Sequence, residues 1–297
     1  MSKIILCCPF YNESLIAKLQ IHEASKWVDE IHITEFDKSF KYTEHELAFG
    51  NLALLPKVFY HPMQARGKYL APRRYIPHFI LNPVSRWLKH IVRGTAWYNE
   101  AVSRNYSLWN SNYDDDDILI LSDVDEIIDS KYSQEIIDAV NQYGIITIRI
   151  HFTCFYFNLF CPKFSGPADY SYRIFVVKGK VMREKFHNDS DYLRKCGERS
   201  KILDVVKCLD GIKGFHHSWL GDDNFVINKL RSYAHDESDH SPEILTNGKY
   251  DIEKIKKKLV NGESIFQNVD LIYNDTIPLL EEVEKCKKGY PLFFLNK

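Results

Sequence analysis

No stretch of the 297-residue chain approaches the ~20 consecutive apolar residues that a membrane-spanning helix needs. The N-terminal run Ile4-Ile5-Leu6-Cys7-Cys8 is too short for the core of a secretory signal. It meets Pro9 and the polar pair Asn12-Glu13 at once, so it reads as a first strand. The seven cysteines, at 7, 8, 154, 161, 196, 208 and 286, are odd in number and contain no CxxC pair. They indicate neither a disulfide framework nor a zinc ribbon, and a reducing, cytoplasmic setting is expected. Repeats and low-complexity linkers are also missing, and a formal net charge of -1 gives no reason to expect a nucleic-acid partner. One absence is local: between Leu47 and Asn99 there is no Asp or Glu, while Lys57, Arg66, Lys68, Arg73, Arg74, Arg86, Lys89 and Arg93 accumulate.

What is present is enough apolar material for a large core. Hydrophobic residues make up 45% of the chain and charged ones 27%, which fits one large α/β domain or two closely joined ones. Aromatics are plentiful at 14%; most must be core, though such faces also hold sugars and bases.

The most informative stretch is Ile118-Leu119-Ile120-Leu121-Ser122-Asp123-Val124-Asp125-Glu126-Ile127. Four apolar residues in a row predict a strand buried on both faces, and it ends in three carboxylates within four residues. Once the chain leaves the sheet, Asp123 and Asp125 can converge on one cation, and a pair of hard oxygen ligands suits Mg²⁺ or Mn²⁺. A solvated turn is the plain alternative, but the mutual repulsion of three acids calls for a counter-ion. An EF-hand is excluded because Ile128 stands where its loop needs Gly. In open α/β sheets ligands gather at the carboxyl ends of strands, where this cluster falls.

Around it, a strand over Lys3–Phe10, a helix to about Lys26 and a strand over Val28–Phe36 form a βαβ unit whose loop ends carry Asn12, Glu13 and Glu35; helix capping or solvation explains each of these singly. Residues 83–93 pattern as an amphipathic helix, a candidate for peripheral membrane contact or for packing on its own domain. A helix over Trp97–Trp109 places Arg104 in its apolar stripe, where a guanidinium needs an anion: the acidic cluster, a bound diphosphate or Glu100 one turn earlier. A helix near Ser133–Gln142 leads to a strand over Ile145–His151. Tyr170–Val177 predicts another strand with a hairpin partner around Val181, and the polar segment Asn188–Ser200 a mobile loop. Gly214-Phe215-His216-His217-Ser218-Trp219-Leu220-Gly221 precedes a helix that Asp222 or Asp223 can cap. His216, His217, His235 and His240 match no zinc spacing. Two amphipathic helices follow Asp251, with a seam near residue 240.

With these blocks in order, the chain resembles the β-1,4-mannosyl-glycoprotein β-1,4-N-acetylglucosaminyltransferases, which add the bisecting GlcNAc to N-glycans, and their bacterial and viral relatives. The blocks are Phe10-Tyr11-Asn12-Glu13, Trp27-Val28-Asp29-Glu30 through Glu35, Arg104-Asn105, Asp117 through Ile127, Gly214-Phe215-His216 with Ser218-Trp219, and Lys229 through His235 with Glu237. The sequence departs from the pattern at Phe215, His217 and Ile128. The resemblance implies a GT-A-like fold: a Rossmann-type nucleotide-binding sheet flanked by helices over 1–240, and a C-terminal acceptor-side helical region, 241–297, packed on the same domain. It implies a UDP-sugar donor, UDP-GlcNAc foremost, Mn²⁺ or Mg²⁺ held by Asp125, Asp123 and His216, and inversion at the anomeric carbon. Asn12, Glu13, Glu35, Arg104, Trp219 and Lys229 would serve the donor. Asp222, Asp223 and Glu237 are the candidate bases, and the acceptor would be a glycan or glycolipid. The rival readings are an Asp-nucleophile phosphatase and a non-catalytic glycan or membrane-surface binding protein.

Overall fold

A computed structural model describes residues 2–40, 43–64, 99–162, 173–198, 206–232, 240–285, 287–289 and 291–296. Its centre is a parallel block. Strand β1 (Ile4–Phe10) crosses over through helix α1 (Ser14–Ala24) to β2 (Glu30–Phe36), and β3 (Val58–Met63) extends the block. On its other side β1 pairs in parallel with β4 (Ile118–Leu121), so the loops after β1, β2 and β4 open on the same end of the sheet.

The unalternated apolar run of β4 is explained by where its faces go. Strand periodicity sends Ile118 and Ile120 to one core, with Leu6 and Cys8 of β1 and Ala17 and Ile21 of α1. Leu119 and Leu121 go to a second core, with Ile5, Cys7 and Leu108 from helix α2 (residues 99–110). Each such side chain contributes about 2 kcal/mol by leaving water, so a polar residue on either face would be costly.

Past β4 the sheet turns mostly antiparallel. Strand β5 (Glu126–Ile128), helix α3 (Ser133–Tyr143), β6 (Ile145–Cys154), β7 (Leu159–Phe160), β8 (Phe175–Lys178), helices α4 (Gly179–Phe186) and α5 (Ser190–Glu198), and β9 (Lys207–Ser218) follow in order. Strand β8 lies antiparallel between β4 and β6, while β9 runs parallel to β6 and antiparallel to β5. Helix α6 (Asp223–Ser232) precedes a small hairpin, β10 (Leu245–Thr246) and β11 (Lys249–Tyr250), then α7 (Ile252–Val260), β12 (Ile272–Tyr273) and α8 (Glu281–Lys285). The segment after residue 240 joins the same body: β12 pairs with β7, and Ile255, Leu259 and Ile265 share a core with Phe152 and Trp219. Asn158 then pins the C-terminal segment, accepting from Leu295 N at 2.8 Å and donating to Leu295 O at 2.9 Å. The α/β class expected from the sequence is what the chain forms, and no described helix is long and apolar enough to cross a membrane.

Two expectations are corrected. Val181 lies in α4 and is not a hairpin partner, because both edges of β8 are already taken by β4 and β6. The turn out of β8 is tight enough to require glycine: a Cβ on Gly179 would sit 2.0 Å from the Asp114 carbonyl oxygen. Residues 190–198 form a helix where a mobile loop was expected. Some of its polar side chains are interior partners: Asp191 and Arg194 are buried, as is Asp189 before it. Residues 83–93, Trp97, Tyr170, His235 and Glu237 lie outside the described residues.

Candidate active site

The acidic segment leaves β4 through a tight turn. The Glu126 amide donates to the Asp123 carbonyl at 3.0 Å, and the Glu126 carboxylate takes the Asp123 N–H back at 2.8 Å. Val124 packs underneath in the same core as β4 and α1, as expected for the apolar residue between two acids. Gln20 of α1 reaches the segment from below, donating to Ser122 Oγ at 3.3 Å and to the Glu126 carbonyl at 3.2 Å.

The three carboxylates then separate. Arg104 forks onto Asp123, Nε to Oδ1 at 2.8 Å and Nη2 to Oδ2 at 2.9 Å. Arg194 approaches the same Oδ2 at 3.0 Å and forks onto Glu126 at 2.8 and 2.9 Å. Burial works to raise the Asp123 carboxyl, but Arg104 and Arg194 outweigh it and hold the group well below the usual carboxylate range. Asp123 and Asp125 therefore do not converge on one cation. The counter-ions demanded by the acidic cluster are, for Asp123 and Glu126, the chain's own guanidiniums. Of the three partners foreseen for Arg104, the acidic cluster and Glu100 are both met, since its Nη2 also donates to Glu100 at 2.9 Å.

Asp125 faces elsewhere. Its Oδ2 lies 3.4 Å from His216 Nε2 and 3.9 Å from Lys229 Nζ. Burial works to raise this carboxyl, and His216 followed by Lys229 brings it down to about 2. Strand pairing sets the arrangement: β5 runs antiparallel to β9 with Glu126 opposite His216, and the His217 amide donates to the Asp125 carbonyl at 2.9 Å. One ligand atom each from Asp125, Glu126 and His216 lies within 4.8 Å of the others. The Asp125 carboxylate and the His216 imidazole are donors for a divalent transition ion such as Mn²⁺, with the Glu126 carboxylate, held by Arg194, beside them. The 3.4 Å edge between Asp125 and His216 is close to the ~3 Å edge of an octahedron with bonds near 2.1 Å, so the residues present fit such an ion.

The remaining candidates divide. Glu13 stands beside the centre through Lys229, whose Nζ lies 2.9 Å from Glu13 Oε1 and over the ring of Trp219 at 5.4 Å. Trp219 itself is buried in a left-handed backbone conformation, φ 59°, against Phe155 and Phe266, so it serves as the floor beneath Lys229. Asn12 is exposed at the same end of the sheet. Glu35 does not offer a free carboxylate to a nucleoside: it is fully buried and takes His45 Nε2, the amides of Ala48 and Phe49, and the Tyr60 hydroxyl, between 2.6 and 3.2 Å. Asp222 caps α6 by accepting from Phe225 N at 2.8 Å, Asp223 is half-buried in the first turn, and Glu237 is outside the described residues. His217 turns to the other face of β9, where its Nδ1 meets Thr153 Oγ1 at 2.8 Å, and His240 meets the Tyr250 hydroxyl.

Sequence reasoning missed Arg194 and Gln20. For Arg194 a signal existed: Asp189 caps α5, accepting from Tyr192 N at 2.9 Å, and an Asp three residues before a helical amide is a readable helix start.

No protein-family model and no curated protein matches the chain. Among solved structures, S. aureus TarS residues 1–349 in complex with UDP-GlcNAc aligns over 88% of this chain and 66% of that one, with 11% identity and a TM-score of 0.42. Another structure of TarS 1–349 aligns over 94% and 99%, with 9% identity and a TM-score of 0.42. The mannosyltransferase PcManGT from Pyrobaculum calidifontis, in complex with GDP-Man and Mn²⁺, aligns over 87% and 70%, with 7% identity and a TM-score of 0.38.

Proposed function

We propose that this chain is a metal-dependent glycosyltransferase of GT-A-like architecture. It moves a sugar from a nucleotide donor, UDP-GlcNAc by the sequence resemblance, to a glycan or glycolipid acceptor with inversion. The observation that carries the reading is Asp125: a buried carboxylate at the carboxyl end of β4 that no guanidinium among the described residues grips, facing the imidazole of His216 at 3.4 Å. Asp125 and His216 would hold the ion, with Glu126 beside them. A bound Mn²⁺ or Mg²⁺ neutralises charge growing on the leaving diphosphate. Lys229 places a second, permanent positive charge next to the same place, held over Trp219 and tied to Glu13, where it can meet a phosphate oxygen. Asp223 is the candidate base for the acceptor hydroxyl, because Asp222 is committed to its cap. Peripheral membrane contact through residues 83–93 belongs to the proposal on the strength of the sequence pattern alone.

The phosphatase reading needs an unencumbered Asp nucleophile, and Arg104 with Arg194 covers both oxygens of Asp123. The test is a thermal-shift screen of UDP-GlcNAc and other sugar nucleotides with and without Mn²⁺, repeated on Asp125→Ala. A ligand that binds only the native state raises the melting temperature. A nucleotide-dependent rise that needs Mn²⁺ and disappears in Asp125→Ala is expected; a rise indifferent to metal and to Asp125 would remove the metal-dependent reading.

A further inference from the structure

Three guanidiniums line the recess beside the β4 turn, those of Arg104, Arg194 and Arg173, around Ser122 and Asp123. Arg104 is committed to Asp123 and Glu100, and Arg194 to Glu126 and Asp123. Arg173 differs from both. Among the described residues no carboxylate pairs with it: its guanidinium lies over the ring of Phe152, 5.8 Å from the centroid, and its backbone carbonyl accepts from Arg194 Nη1 at 3.3 Å.

Strand topology explains the placement. β8 runs antiparallel to β4 with Phe175 opposite Leu121, so Arg173, two residues before Phe175, falls at the carboxyl end of β4, where Asp123 and Asp125 leave the sheet. Phe152 stands beside His216 in the ladder between β6 and β9, and the two rings pack at 4.3 Å. One phenyl ring thus carries Arg173 and touches the imidazole that faces Asp125.

A half-buried guanidinium gives up hydration that a paired anion normally replaces. The carboxylates nearby are held by other cations: Asp123, Glu126 and Glu100 as above, and Asp191 by Arg104 and Lys195. An aromatic face fixes a guanidinium in place while leaving the N–H fork in its plane, and that fork matches two oxygens of a phosphate.

We propose that Arg173 is a substrate-binding residue that takes a phosphate group, borne either by the nucleotide donor or by the acceptor. The proposal rests on the reading that a nucleotide sugar and a divalent ion occupy the carboxyl end of β4. It adds to Lys229 of α6 a second cationic contact, from the start of β8.

The experiment titrates the full chain calorimetrically with UDP and with uridine, each in the presence of Mn²⁺, and then titrates the UDP-saturated chain with glycerol 3-phosphate, a phosphate ester without a base. The variant is Arg173→Met, which keeps an apolar stem over Phe152 and removes the charge. Loss of one charge-assisted contact is expected to weaken the phosphate ligand about tenfold or more. Weaker UDP with unchanged uridine assigns the phosphate to the donor. Unchanged UDP, with glycerol 3-phosphate bound by the parent and lost by the variant, assigns it to the acceptor. Arg173→Lys, which keeps the charge and loses the fork, should recover part of the affinity in either case. UDP and uridine weakened together, or no change in either UDP or glycerol 3-phosphate, overturns the inference. If Arg173→Met does not melt cooperatively, Arg173→Lys decides, with a weaker phosphate ligand expected; a fold that tolerates neither variant makes Arg173 a structural brace and overturns the inference. A parent chain that binds neither UDP nor uridine overturns the inference and the nucleotide reading together.

Discussion

Arg104 grips both oxygens of Asp123, at 2.8 and 2.9 Å, whereas among the described residues no guanidinium touches Asp125 two residues on. The two halves of the Asp-x-Asp motif therefore have different occupations. Breaking a buried pair by removing one partner leaves an uncompensated charge, at a cost of about 3 kcal/mol. Arg104→Ala should lower unfolding stability by about that amount in urea titration, and Asp123→Ala should restore part of it in the double variant. Asp125→Ala should cost most of the Mn²⁺ affinity as well as the stability its His216 and Lys229 contacts supply, whereas Asp123→Ala should leave Asp125 and His216 in place. Equal effects of the two aspartates on both measurements would contradict this division.

Gly214 offers a second handle on the same centre. A Cβ there would meet the Ile127 carbonyl oxygen at 2.3 Å, in the ladder that sets Glu126 against His216. Gly214→Ala must push β5 from β9, and overpacking of this kind costs about 1–3 kcal/mol. A melting temperature several degrees lower is expected, together with weaker Mn²⁺ binding in the protein that remains folded. Unchanged metal affinity would show that the spacing of the two strands does not tune the site.

His217 gives the chain a proton-linked stability. Burial pushes its imidazole down to about 3 from an ordinary 6.5, with His216 adding to the effect. The folded form thus keeps His217 neutral where the unfolded chain takes up a proton. The stability is fully present above about pH 6.5 and is lost as pH falls toward 3, by about 1.4 kcal/mol per pH unit for one group. His61, pushed down to about 4 by burial and by His32, adds in the same direction. Urea unfolding between pH 7 and pH 4 should show a shallower slope in His217→Gln than in the parent, and identical slopes would exclude His217 as the linked group.

The sheet could be read from residue pattern because its signals are local: four apolar residues at Ile118–Leu121 need two cores, and alternation around Ile31 and Ile33 needs one strand. The acidic cluster was legible for the same reason, and so was the demand of Arg104 for an anion. What could not be read was which anion meets which cation. Arg194 reaches Glu126 across 68 residues and Lys229 reaches Glu13 across 216, and nothing in a single chain's local composition encodes those pairings. The polarity of residues 188–198 misled for a related reason: buried polar residues look like a solvated loop until their partners are known. Glu35 is the converse, a carboxylate at a strand end whose four donors all come from its own surroundings.

Lys229 brings these threads to one test. Its ammonium lies 2.9 Å from Glu13 and 3.9 Å from Asp125, over Trp219, with its side chain only 12% exposed. A fixed positive charge there opposes a bare metal ion and favours a phosphate. Unit charges 4 Å apart interact by ~4 kcal/mol at an effective dielectric of 20, and a quarter of that is about a fivefold change in affinity. Lys229→Met should therefore bind Mn²⁺ alone about fivefold more tightly and UDP more weakly, opposite signs that a merely structural lysine would not produce. Calorimetric titration of each ligand separately decides it: if both affinities move together, or neither moves, Lys229 only ties α6 to α1.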